Sequence, residues 1–299
     1  MRIVCIGECM VELAPAGDGL LRQGFAGDSF NTAWYLRQLR PDWIVDYVSR
    51  VGVDAISGAM LGFMDSAGIG TAHVARVPDR TVGLYLITLD KGERSFSYWR
   101  GQSAARGLAD DPAALHHALQ GADLVVFSGI TLAILTSDRR EVLLAALRDC
   151  AGLVAFDPNL RARLWPDAAT MAAAVAEAAG VADIVLPSFD EEQALHGDAD
   201  PQATLARYHA LGPATVVVKN GGGRVWATGG VRAGGGVWYD PAPVEPVDTT
   251  AAGDSFNAGF LVAWLTGSGL VEAVAAGSVL AARVIRQPGA LVPPVICPQ

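Results

Sequence analysis

Residues 248–261 read Asp-Thr-Thr-Ala-Ala-Gly-Asp-Ser-Phe-Asn-Ala-Gly-Phe-Leu, which sets an acid behind a bare backbone turn. Thr249, Thr250, Ala251, Ala252 and Gly253 are small, so no bulky side chain covers their amides. Phe256, Phe260 and Trp264 then recur at four-residue spacing, which predicts a helix with Asp254 in its first turn. A helix N-terminus carries unpaired N–H groups and about half a positive charge, a setting suited to phosphate. If these amides hold the charge on a transferred phosphoryl group, Asp254 lies at the depth needed to take a proton from an attacking hydroxyl. The competing reading is a plain helix-capping carboxylate, stabilising by roughly 0.5 to 2 kcal/mol.

The pentapeptide Gly-Asp-Ser-Phe-Asn occurs twice, at 27–31 and at 253–257, each time opening a helical pattern after a glycine. In the first copy Gly27, Asp28 and Asn31 offer bare backbone, an acceptor and a mixed donor and acceptor, which suits a polyhydroxylated substrate. A helix cap in each copy is the alternative. Two β-rich runs, 83–89 and 94–100, flank Asp90-Lys91-Gly92-Glu93 and predict a hairpin. Phe96, Tyr98 and Arg100 share one face of its second strand, which fits a flap over a ligand; an edge hairpin with aromatic pairing is the alternative. Lys219-Asn220-Gly221-Gly222-Gly223-Arg224 is a basic glycine loop, plausible beside a nucleotide or as a plain turn. A second glycine run, Gly234-Gly235-Gly236, reads as another hairpin tip.

These residues need a scaffold. Short apolar runs at 2–7, 123–128, 153–157, 183–187 and 215–219 alternate with helical patterns at 139–150, 168–180 and 201–211. That βαβ rhythm predicts an α/β fold around a mostly parallel sheet. Ligands of such sheets bind outside the carboxyl ends of the strands, so Ser128-Gly129, Asp157-Pro158-Asn159, Pro187-Ser188 and Lys219-Asn220-Gly221 become candidate site segments. A helix is also predicted at 54–67, with Ile56, Met60, Leu61 and Met64 inward, and an Ala-rich one at 271–285.

At 299 residues the chain accommodates one large domain with a smaller inserted piece. Hydrophobic residues make up 51%, which argues for a packed globular protein, and the net charge of -9 argues against nucleic acid. Cys5, Cys9, Cys150 and Cys297 form no Cys-x-x-Cys pair and read as reduced thiols of a cytoplasmic protein. The N-terminus enters a strand pattern directly, so neither a secretion signal nor a membrane span is expected.

Asp-Thr-Thr-Ala-Ala-Gly-Asp at 248–254 resembles the C-terminal signature of the PfkB, or ribokinase-like, carbohydrate kinases, whose usual form has Gly at the position of Ala251. The resemblance implies a doubly wound, mostly parallel sheet flanked by helices, with a small β lid contributed by 9–26 and 73–101 of a single domain spanning 1–299. It implies that Asp254 is the catalytic base and that the amides of Ala251, Ala252 and Gly253 form the anion hole. Within the family, Gly7-Glu8-Cys9-Met10-Val11-Glu12-Leu13, Tyr98-Trp99-Arg100, Ser128-Gly129-Ile130 and the segment 157–165 resemble most the branch that phosphorylates 2-keto-3-deoxygluconate. An acidic sugar must be neutralised, and guanidinium groups do so with paired hydrogen bonds. Gly27, Asp28, Asn31, Tyr85, Tyr98, Arg100 and Arg161 are accordingly assigned to the sugar. Asn159, Arg161, Ser188, Lys219, Gly221, Gly223, Ala251 and Gly253 are assigned to ATP. Where the family has Asn-x-x-Glu near the metal, this chain has Ser188-Phe189-Asp190-Glu191, so Glu191 is an indirect metal candidate. ATP and Mg²⁺ are the implied cofactors, with dependence on a monovalent cation left open, and exposed lid edges imply a homo-oligomer.

Two other classes fit less well. A dinucleotide-binding dehydrogenase would need a full Gly-x-Gly-x-x-Gly after the first strand, which is missing. A non-catalytic sugar sensor would have no use for the Asp254 segment.

Overall fold

The runs 3–6, 124–127, 154–156, 184–185 and 216–218 carry apolar side chains at consecutive positions, and every one of them is buried. Such strands need cover on both faces, which a parallel sheet between helices provides. The computed structural model describes residues 1–90, 93–229 and 236–293. Its strands are β1 (Arg2–Ile6), β2 (Met10–Pro15), β3 (Leu21–Ala26), β4 (Ile44–Val51), β5 (Val74–Arg76), β6 (Leu84–Asp90), β7 (Glu93–Trp99), β8 (Leu124–Ser128), β9 (Leu153–Asp157), β10 (Ile184–Val185), β11 (Thr215–Val218), β12 (Val225–Gly229) and β13 (Val237–Tyr239). Its helices are α1 (Asp28–Leu39), α2 (Ala55–Ser66), α3 (Pro112–Leu119), α4 (Gly129–Ala133), α5 (Ser137–Arg148), α6 (Ala168–Ala179), α7 (Phe189–His196), α8 (Pro201–His209), α9 (Ala252–Leu265) and α10 (Leu270–Val284).

The large sheet runs β13-β12-β11-β10-β9-β8-β1-β4-β5 and is parallel from β5 to β11, with β12 and β13 antiparallel at its end. Alternation along β1 sends Ile3 and Cys5 into one core, and Val4 and Ile6 into the other. Phe30, Met60 and Phe260 of α1, α2 and α9 pack on the first face; Leu115, Leu143 and Met171 of α3, α5 and α6 pack on the second. Because β1 lies between β4 and β8, strand order reverses there and a crevice opens at the carboxyl ends.

A separate four-stranded sheet, β3-β2-β6-β7, forms the lid. β6 and β7 pair antiparallel with Tyr85 opposite Tyr98, so the expected hairpin is present, its tip at Lys91 and Gly92 lying outside the described residues. The lid is smaller than the sequence suggests. Val74–Arg76 pairs parallel with β4 and belongs to the edge of the large sheet, since three residues beside a ready parallel partner need no second sheet. β12 and β13 pair antiparallel as expected, while Gly234 and Gly235 of their connection lie outside the described residues.

Cys5 and Cys9 are buried free thiols and Cys150 is a half-buried one; Cys297 lies outside the described residues. Among the described residues no helix is long and apolar enough to cross a membrane.

Candidate active site

The turn before α9 is held by one acid. Asp248 accepts from the Thr250 amide (3.0 Å) and hydroxyl (2.7 Å) through one oxygen, and from the Gly289 amide (2.6 Å) through the other. Ala251 then adopts φ 60°, in the left-handed region that disfavours a side chain. This reversal starts α9 and explains why glycine suits the position. The helix start differs from expectation in one respect: the Ala252 amide donates inward to the Thr249 carbonyl (3.2 Å). The Gly253 and Asp254 amides make no bond to a loop carbonyl among the described residues.

The two pentapeptides meet at this point, because α1 packs against α9. Asn31 of the first copy donates to the Asp254 carboxylate (2.8 Å). Gly27 is required by close approach: a Cβ there would stand 2.2 Å from the Glu8 carbonyl oxygen. In the second copy Asn257 holds the place of Asn31, and it donates to Asp157 (2.6 Å) while accepting from Lys219 (3.1 Å). Lys219 also pairs with Asp157 at 3.0 Å and is buried, so the expected loose basic loop begins with a pinned ammonium. Asn159, at φ 35°, donates to Asp28 (2.8 Å). Asp157 lies in a strand-end segment expected at the site, whereas Asn257 is a site residue that the sequence reading did not single out. The repeat itself was the signal for Asn257.

Burial first, then the charge of Asp28, pushes the Asp254 carboxyl up to about 8; Asn31 and Lys219 pull the other way. Arg161 pairs with Glu191, whose second oxygen accepts from the Leu160 amide at 2.8 Å. The two residues expected to serve sugar and metal therefore face each other. Ser188 opens α7 beside them without a side-chain cap bond.

The lid supplies the opposite wall. Arg100 donates to buried Glu8, leaving Arg100 Nε and Glu8 Oε1 buried without a partner. Tyr85 donates to Glu12, and burial followed by that carboxylate raises its pKa, so the phenol keeps its proton. Arg163 stacks on the Tyr98 ring at 4.1 Å, joining the segment after β9 to the lid.

These walls enclose a pocket of about 730 Å³ lined by Gly27, Asp28, Asn31, Tyr85, Tyr98, Arg100, Asn159, Arg161, Arg163, Lys219, Glu191 and Asp254 among others. A second cleft of about 360 Å³ has apolar walls from Val225, Pro241, Val244, Phe256, Ala281 and Ile285. Gly221 at φ 51° lines this cleft; Gly223 does not. Thr249, Ala252, Gly253, Ser188 and Lys219 line both. An apolar cleft thus meets a polar pocket across one helix N-terminus. Among the described residues no group of three or more His, Cys, Asp or Glu side chains could hold a metal ion.

A carboxylate beside a helix N-terminus, at the carboxyl side of a doubly wound sheet and under a β lid, defines a ribokinase-like small-molecule kinase. The family of pfkB carbohydrate kinases matches residues 1–296. The 2-dehydro-3-deoxygluconokinase of Escherichia coli (strain K12) is 38% identical over 304 residues, covering 98% of this chain and 97% of its own. The enzyme of the same name from Dickeya dadantii (strain 3937) is 39% identical over 303 residues, covering 97% of this chain and 96% of its own. The crystal structure of a PfkB protein from Polaromonas sp. JS666 superposes with a TM-score of 0.84 at 29% identity, over 97% of this chain and 98% of that one. The chain belongs to the pfkB family of carbohydrate kinases.

Proposed function

We propose that this kinase transfers the γ-phosphoryl group of ATP to the 6-hydroxyl of 2-keto-3-deoxygluconate. The observation that carries the reading is the turn 249–253, a wall shared by both cavities, with Asp254 on the side of the polar pocket. The names of the similar enzymes supply the substrate, and the arginines of the pocket agree with an acidic one.

In the proposed reaction the Asp254 carboxylate accepts the proton of the 6-hydroxyl as its oxygen attacks phosphorus and ADP departs. Asn31 orients that carboxylate through its 2.8 Å hydrogen bond. The Gly253 and Asp254 amides and buried Lys219 hold the charge on the phosphoryl oxygens. Gly27, Asp28 and Asn159 meet sugar hydroxyls, and Tyr85, Tyr98 and Arg100 form the lid side of the pocket. Mg²⁺ would neutralise phosphate charge, and Glu191, already engaged by Arg161 and Leu160, would reach it only through water.

The test is ATP-dependent phosphorylation of 2-keto-3-deoxygluconate, its galactonate epimer, gluconate, ribose and fructose. A strong preference for the keto-deoxy acids is expected. Preference for a neutral sugar would overturn the substrate. In parallel, Asp254→Asn is expected to lower kcat by orders of magnitude while sugar binding survives; near-normal turnover would remove Asp254 from the role of base.

A further inference from the structure

Four cations line the larger pocket: Arg100, Arg161, Arg163 and Lys219. Three are already matched by an acid. Arg100 lies on Glu8, Arg161 on Glu191, and Lys219 on Asp157. Of these four, Arg163 alone has no carboxylate partner among the described residues; its guanidinium carbon lies 4.1 Å from the centre of the Tyr98 ring.

The difference matters for an anionic substrate. An acid that displaced Glu8 from Arg100 would leave a fully buried carboxylate unpaired, which is costly. The partnerless Arg100 Nε is enclosed and already balanced in charge, so it suits a neutral keto or hydroxyl oxygen. Asp157 and Asn257 hold Lys219 in the same way. A guanidinium stacked on an aromatic face, by contrast, keeps its in-plane N–H donors at its edge, where they match the two oxygens of a carboxylate. Arg163 also lines the pocket where the segment after β9 meets the lid, through its stack on Tyr98. A sugar acid carries its carboxylate at the end of the chain away from the 6-hydroxyl.

We infer that Arg163 is the counter-ion of the substrate carboxylate and so the residue that sets selectivity for acids over neutral sugars. Tyr98 holds the guanidinium ready, and docking of the carboxylate on its edge ties substrate to lid. This inference rests on the sugar-acid reading of the pocket.

The experiment compares wild type, Arg163→Gln and Arg163→Lys on 2-keto-3-deoxygluconate and on the neutral 3-deoxyketohexose with a hydroxymethyl group in place of the carboxylate. Because Arg163 is exposed, the variants should fold, which a thermal melt verifies. Arg163→Gln is expected to raise KM for the acid roughly 10- to 100-fold with kcat little changed, the range of one or two charge-assisted hydrogen bonds. Its kcat/KM on the neutral sugar should not move, and Lys should restore part of the loss. An unchanged KM for the acid overturns the inference, as does an equal loss on both sugars, which would reduce Arg163 to a lid contact. If wild type itself shows no preference for the acid, the substrate reading falls along with it; if wild type prefers the acid and Arg163→Gln keeps that preference, only the role of Arg163 falls.

Discussion

A carboxylate works as a base only when ionised, and Asp254 is held back from ionising by burial and by the nearby charge of Asp28. With its pKa at about 8, kcat/KM should climb between pH 6 and pH 9 instead of levelling off near pH 5. Asp28→Asn removes the neighbouring charge and should move that acid limb to lower pH, even as it weakens sugar binding. A limb that stays in place in this variant would show that Asp28 does not tune the base. Stability has the opposite sign. The folded protein keeps a proton that the unfolded chain releases near the usual carboxylate value of about 3.9, so this group costs stability as pH rises from there towards 8. Asp254→Asn should therefore melt a few degrees above wild type at pH 8.5 and show a smaller gain at pH 5.5, read by calorimetry. Asp254 was legible because its motif is dense. Asp157 was legible as a strand-end acid and Asn257 only through the repeated pentapeptide; the bond that joins them was not, because a partner 100 residues away leaves no local pattern.

The helix start before Asp254 separates two glycine-like positions by physical cause. Ala251 sits in the left-handed region, where a side chain costs roughly 1 to 2 kcal/mol per residue. Gly there would relieve that strain but add unfolded-state entropy worth about 0.4 to 1 kcal/mol, so Ala251→Gly should stabilise by about 0 to 1.6 kcal/mol in denaturant unfolding. Gly253 is unstrained, and an added Cβ would find only Lys219 Nζ at 3.5 Å, an ordinary contact. Gly253→Ala should therefore leave the melting temperature unchanged or raised. The methyl would point where phosphate must approach, and kcat should drop on the order of 100-fold. A fall in stability equal to the fall in activity would assign Gly253 to folding and not to phosphate approach. Legibility at this scale follows burial pattern. α6 and α10 were found from their Ala-rich apolar stripes, whereas α7 was missed because it opens with Asp190, Glu191 and Glu192, and its buried position is the charged Glu192. α4 spans only five residues, too few for a helical period, and its Ser128–Thr131 capping box lacks the usual Glu or Gln that would mark it in a sequence.

The order of strands and helices in the whole molecule was readable because buried parallel strands are continuous apolar runs, but the lid's attachment was not. It depends on two carboxylates, Glu8 and Glu12, that reach from the segment after β1 and from β2 to Arg100 and Tyr85 on the other lid arm. Both acids are buried and both partners line the sugar pocket, so the lid's shape and the pocket's chemistry share the same bonds. A lid tied this way should swing as a unit, with its hinge at the four crossings between 6 and 10, 26 and 28, 76 and 84, and 99 and 104. Sugar bound against Tyr98 and Arg100 adds contacts between the lid and the large sheet, which favours the closed arrangement and excludes water from the phosphoryl group. Amide hydrogen exchange in Leu84–Asp90 and Glu93–Trp99 should slow when the sugar acid binds, and ATP alone should have little effect there. Glu8→Gln should keep the fold of the large sheet yet lose much of that protection, because Arg100 is then buried without a matching charge. Equal protection in the variant and the wild type would mean that strand pairing alone holds the lid, and that the Glu8–Arg100 pair serves only the substrate.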